Sequence, residues 1–176
     1  MISRIIPILL MFWPYAFILC GFVSEEASSS FMAIYAILTL VIYAANITNA
    51  FLYKGKNRIF ELALFNMLIK LIHIPFYLIV FLLGVLSLFM AVVPALVLVT
   101  PIMIFVLFVI DILLMLTSSM YGISALIKAF KAGLITGKFM IIHMIMHCFF
   151  VTDIISSVIV FFTLKKKHHL LNRSQP

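Results

Sequence analysis

PFYLIVFLLGVLSLFMAVVPALVLVTPIMIFVLFVIDILLMLTSSMY, residues 75–121, carries a single formal charge, Asp111. As one helix it would reach about 70 Å at about 1.5 Å per residue, more than twice the roughly 30 Å hydrocarbon core of a bilayer. Pro94 and Pro101 bracket its centre. The stretch therefore reads as two membrane-crossing helices, 75–93 and 102–121, joined by a tight hairpin near 94–101. Such a turn is unusually apolar, so its carbonyls have to be satisfied by helix ends rather than by water.

The rest of the chain has the same character. Of 176 residues, 66% are hydrophobic and 10% charged, with a mean hydropathy of +1.34. A soluble domain is about a quarter charged. One soluble core accounts for one apolar stretch, not for a succession of them. The net charge of +7 sits in short clusters between the apolar runs. That pattern excludes a nucleic-acid partner and marks topology and contact with anionic lipid headgroups. Cys20 and Cys148 both lie in apolar runs and no C-x-x-C occurs, so neither a disulfide nor a dithiol motif is expected.

The fold class read from this pattern is all-α, a single polytopic transmembrane helix bundle over 1–176. Five spans are expected, at 5–23, 31–53, 75–93, 102–121 and 139–163, followed by a basic tail at 164–176. The first is read as retained, because Phe17, Ile18 and Leu19 before Cys20 offer no small-residue cleavage site. The positive-inside rule puts the N-terminus and Lys54–Arg58 in the cytoplasm and Glu25 and Glu26 outside, with a bacterial plasma membrane as the expected location. Five crossings leave Lys165–Lys167 outside, against that rule. Four crossings with one peripheral or re-entrant segment bring them inside, and this is the alternative.

Residues 59–74, IFELALFNMLIKLIHI, differ from their surroundings. Asn66, Lys70 and His73 share one helix face, and Pro75 follows as a break. An in-plane interfacial helix, or else a cytoplasmic extension of the third span, is expected, with these three residues meeting water or headgroups.

Polar groups inside the spans are costly and need partners. Counting about 1.5 Å per residue from Tyr121, Lys138 and Lys54 puts Asp111, His147 and Asn46 at about 15, 14 and 12 Å depth. They form an expected polar layer, with Asp111 touching His147. Asp153 lies deeper, on one helical face with Ser157, as a second polar group. His143 and His147 are spaced i, i+4, which suits two metal ligands but lacks a third, and the Glu of H-E-x-x-H is missing. Interhelical hydrogen bonding is the expected use, with no metal and no cofactor. No enzyme signature occurs. The leading expectation is a non-enzymatic accessory, assembly or interaction protein, acting as a homo- or hetero-oligomer among membrane lipids. The alternative is an ion- or proton-coupled transporter or channel subunit using Asp111, His147 and Asp153. An integral-membrane enzyme is the third reading.

Overall fold

The computed structural model describes residues 2–23, 29–54 and 57–173, with the side chains of residues 2, 17, 20–23, 29 and 169–173 outside that description. Glu25, Glu26, Lys56 and the end of the basic tail thus lie outside the described residues. Six helices follow in order: α1 Ile2–Val23, α2 Ser29–Leu52, α3 Arg58–Met90, α4 Val99–Lys131, α5 Gly137–Met146 and α6 Phe150–Arg173. No strand occurs among the described residues.

The expected count of five spans, or of four, does not hold. Among the described residues three helices are long and apolar enough to cross a membrane: Ser30–Leu52, Arg58–Met90 and Val99–Lys131. Within α1, Ser3–Ala16 is among the shorter apolar helices of the described residues. The expected span at 139–163 is broken after Met146 into α5 and α6. The 10-residue α5 is too short, and α6 carries Asp153 and Lys165–Lys167. The chain is nonetheless a multi-pass helical membrane protein.

The interfacial helix expected at 59–74 is also absent as a separate element. Pro75 lies inside α3, which runs unbroken through it. Tyr15 of α1 donates to the Ile72 carbonyl in the turn before Pro75. Asn66, Lys70 and His73 meet neither water nor headgroups, because α1, α4 and α6 pack over that face and bury all three.

Prolines in α1 explain two further polar contacts. Pro7 leaves the Ser3 carbonyl without its helical donor, and Asn49 Nδ2 of α2 bonds it at 3.0 Å. Pro14 does the same to Leu10, whose carbonyl takes His73 Nε2 of α3 at 3.1 Å. Neighbouring side chains thus restore what each ring removes, as a membrane interior requires.

α3 and α4 form the central hairpin, with α6 on α3, α2 on α4, α1 against α2 and α3, and α5 against α4 and α6. Each central helix has 33 residues, about 50 Å, so the pair outreaches a bilayer core. Apart from Ser87 and Thr100, their buried residues lie at Leu62–Val80 and Leu114–Ala129. The remaining half of the hairpin turns Phe81, Phe89, Phe105 and Phe108 outward, and Val92 and Leu98 at its tip keep 80% and 81% exposure. Such a surface suits lipid and not water. Within the tip, Ala91, Val92, Val93, Leu96 and Val99 donate their backbone N–H groups to carbonyls three residues back, so the apolar turn binds its own polar atoms. α4 ends at Gly133, whose φ of 69° allows Leu134 N–H to reach the Ala129 carbonyl at 2.9 Å and its own N–H to reach Phe130 at 2.9 Å.

Candidate functional site

The break between α5 and α6 contains no proline or glycine; its residues are His147, Cys148 and Phe149. His147, Cys148 and Phe149 donate backward to the His143, Ile145 and Met146 carbonyls. Thr152 Oγ1 then bonds the Met146 carbonyl at 2.9 Å, stitching the start of α6 to the end of α5. This places Asp153 in the first turn of α6, where the helix dipole favours an anion.

A continuous helix would set His147 and Asp153 about 120° apart around its axis. The break closes that angle, and His147 Nδ1 lies 2.6 Å from Asp153 Oδ1. The other carboxylate oxygen, Oδ2, forms an ion pair with Lys70 of α3. Lys70 Nζ also donates to Ser118 Oγ at 2.6 Å, Ser119 Oγ at 2.9 Å and the Met115 carbonyl at 3.0 Å, all on α4. Ser118 and Ser119 in turn donate to that same Met115 carbonyl, which fixes their oxygens toward the ammonium. Lys70, His147 and Asp153 are all buried. Three helices and a helix break thus converge on one acid, one base and one imidazole.

Gly122 of α4 makes the close approach possible. A Cβ there would fall 2.6 Å from His147 Nε2 and 2.7 Å from Asn66 Nδ2. Both Asn66 side-chain atoms and His147 Nε2 are buried without a hydrogen-bond partner among the described residues.

The other expected groups go elsewhere. Asp111 does not meet His147: it is partly exposed on α4, and its Oδ1 is buried without a hydrogen-bond partner among the described residues. Asn46 does not join them either. Its Oδ1 accepts from the Tyr121 hydroxyl at 2.8 Å and its Nδ2 donates to the Ile42 carbonyl. Asn49 Nδ2 reaches the same hydroxyl at 3.1 Å. Ser157 bonds the Ile154 carbonyl at 2.7 Å and not Asp153. His143 Nδ1 lies 2.8 Å from Ser156 Oγ, so the two histidines of the i, i+4 pair take different partners. Among the described residues no three His, Cys, Asp or Glu side chains converge as a metal site.

Lys70 is the member that sequence reasoning assigned to the wrong environment. The available signal was complementarity: a polar stripe of Asn66, Lys70 and His73 on α3, and the run Thr117, Ser118, Ser119 on α4. No curated protein and no solved structure matches the chain. Residues 5–167 match the model of a family of unknown function, DUF6652, and the chain belongs to that family.

Proposed function

We propose that this protein is an ion- or proton-coupled transporter, or the ion-handling subunit of a channel, and that Lys70, Asp153 and His147 are its ion-responsive site. The observation that carries this reading is a lysine–aspartate ion pair buried beside a histidine at a helix break. Ionisable groups inside membrane segments mark ion and proton pathways. Discontinuous helices are the recurring element of transporter binding sites. An assembly role for the same residues would need only hydrogen bonds between helices, for which neutral Asn, Ser and Thr suffice. A buried charge pair is a costly way to obtain the same adhesion. Exposed Lys165 and Lys166 support contact with anionic headgroups at one surface, and the outward phenylalanines of the α3–α4 hairpin support lipid or a second copy as their neighbour.

The test is flux. The purified protein is reconstituted into liposomes, and proton, sodium or potassium gradients are imposed. Wild type dissipates at least one gradient at least tenfold faster than empty liposomes, and Asp153→Asn loses that flux while remaining folded. Wild-type vesicles as tight as empty ones to all three ions reject the proposal.

A further inference from the structure

We infer that the ion handled at this site is the proton, that its acceptor is Nε2 of His147, and that the Asn66 amide over Gly122 is the partner that follows the protonation state. The inference rests on the transport reading above for its purpose, but its geometry stands separately.

Neither oxygen of Asp153 is free. Oδ1 is engaged by His147 Nδ1 and Oδ2 by Lys70. Hard metal cations bind through several oxygen ligands at once, carboxylates foremost. An ammonium already fills that role here, so a metal cation would have to break the ion pair to enter. Within this cluster, the ring of His147 keeps an open acceptor among the described residues. With Nδ1 held against a carboxylate, the neutral ring carries its hydrogen on Nδ1 and presents a bare lone pair on Nε2. That atom is buried without a partner among the described residues, as are both polar atoms of the Asn66 side chain.

The two groups rest on the same glycine, within 2.6 and 2.7 Å of the point a Cβ would occupy. An asparagine amide offers donors at one end and an acceptor at the other. Turned one way, Nδ2 donates to bare Nε2. A proton from the aqueous phase then adds to the Nε2 lone pair, forming an N–H bond and an imidazolium, with no heavy-atom bond broken. Turned the other way, Asn66 Oδ1 accepts from that new N–H. The absence of a Cβ at Gly122 gives the amide its close seat beside the ring.

The charges around the ring come from three elements. Asp153 of α6 bonds it directly. Lys70 of α3 stands behind that carboxylate, and His143 of α5 lies one turn back and bonds Ser156. Tyr77 of α3 packs edge-on against Phe150 at the start of α6. From α4, Gly122 faces the ring, and Ser119 Oγ bonds the backbone carbonyl of His147.

Nitrogen NMR of the full chain in lipid nanodiscs, with 15N histidine and asparagine, tests this. His147→Gln assigns the ring signals. In unsubstituted protein, Nε2 passes reversibly from bare to protonated between pH 9 and pH 5. The Asn66 side-chain amide moves with the same midpoint, and Asn66→Leu shifts that midpoint by about one pH unit. A ring Nε2 that keeps one state throughout, or an Asn66 amide silent across the ring's titration, overturns the inference. Flux with a silent Nε2 rejects this acceptor and leaves the transport reading. Titration as expected without flux rejects transport and leaves the proton site.

Discussion

Lys70 on α3 and Asp153 at the start of α6 form an ion pair with both side chains out of contact with solvent. Removing one member of such a pair leaves an uncompensated buried charge, at a cost of about 3–5 kcal/mol, whereas replacing both by apolar residues is often neutral or stabilising. Lys70→Met and Asp153→Leu should therefore each lower the thermal midpoint of the detergent-solubilised protein strongly, and Lys70→Met/Asp153→Leu should recover most of the loss. The double variant should still lack ion flux. Full additivity in the unfolding cycle would show that the two groups do not sense each other's charge.

The Leu10 carbonyl, freed by Pro14, is taken by His73. Replacing His73 by Phe should therefore hurt wild type more than a Pro14→Ala background, where residue 14 again supplies a backbone N–H. Hydrogen bonds between membrane helices contribute about 0.6 to 1.7 kcal/mol, and the coupling energy should fall in that range. It is read from a double-mutant cycle of unfolding free energies. A coupling of zero would mean that His73 stabilises the bundle by packing alone.

Long apolar runs made the membrane and the all-α class legible, together with the central hairpin and its turn. Helix continuity was less so. Proline is the residue expected to break a helix, yet Pro7, Pro14 and Pro75 lie inside helices while the break comes at His147–Phe149. In lipid, a proline's lost hydrogen bond is replaced by a neighbour such as Asn49 or His73, which lies far away in sequence. At the break Thr152 reaches the Met146 carbonyl and Asp153 reaches His147, each six residues back, contacts that a continuous helix does not bring together. Sequence spacing on a continuous helix sets His147 and Asp153 apart, so their pairing was hidden. Lys70 was hidden because a polar stripe on an apolar helix reads equally as a wet face or as the lining of a buried network. The serines that decide between these lie on another helix.

Gly122 and Gly84 both sit in long central helices, but their surroundings differ. A Cβ at Gly84 meets nothing within 4 Å, whereas one at Gly122 would collide with His147 Nε2 and Asn66. Gly84→Ala should stabilise the protein by up to about 1 kcal/mol through helix propensity. Gly122→Ala should destabilise it by about 1–3 kcal/mol through overpacking, and should also lower flux by displacing the imidazole. Thermal unfolding of the two variants side by side checks the contrast; equal behaviour would mean that the Gly122 contact relaxes freely.

The Tyr121 hydroxyl donates to Asn46 Oδ1 and accepts from Asn49 Nδ2, and all three residues are buried. Tyr121→Phe keeps the ring, strands Asn46 Oδ1 and leaves Asn49 Nδ2 with the Ser3 carbonyl, so it should cost about 1–3 kcal/mol. Because this cluster has no hydrogen bond to Lys70, His147 or Asp153 among the described residues, the folded variant should retain its ion flux. Loss of flux at unchanged stability would extend the ion-handling region to the α2–α4 contact.

Asp111 separates two routes for an ion. It stands on α4 outside the Lys70–Asp153 cluster, and its buried Oδ1 has no hydrogen-bond partner among the described residues. A carboxylate near the centre of a spanning helix costs about 2.5–3.5 kcal/mol on insertion scales. No hydrogen bond to Oδ1 is available to offset that here. Asp111→Leu should accordingly raise the thermal midpoint and leave flux within about twofold of wild type, while Asp153→Asn abolishes it. If Asp111→Leu instead folds normally and stops flux, the ion path runs through the outer half of the α3–α4 hairpin. Asp111 would then be an ion-contacting residue whose partner is the ion itself.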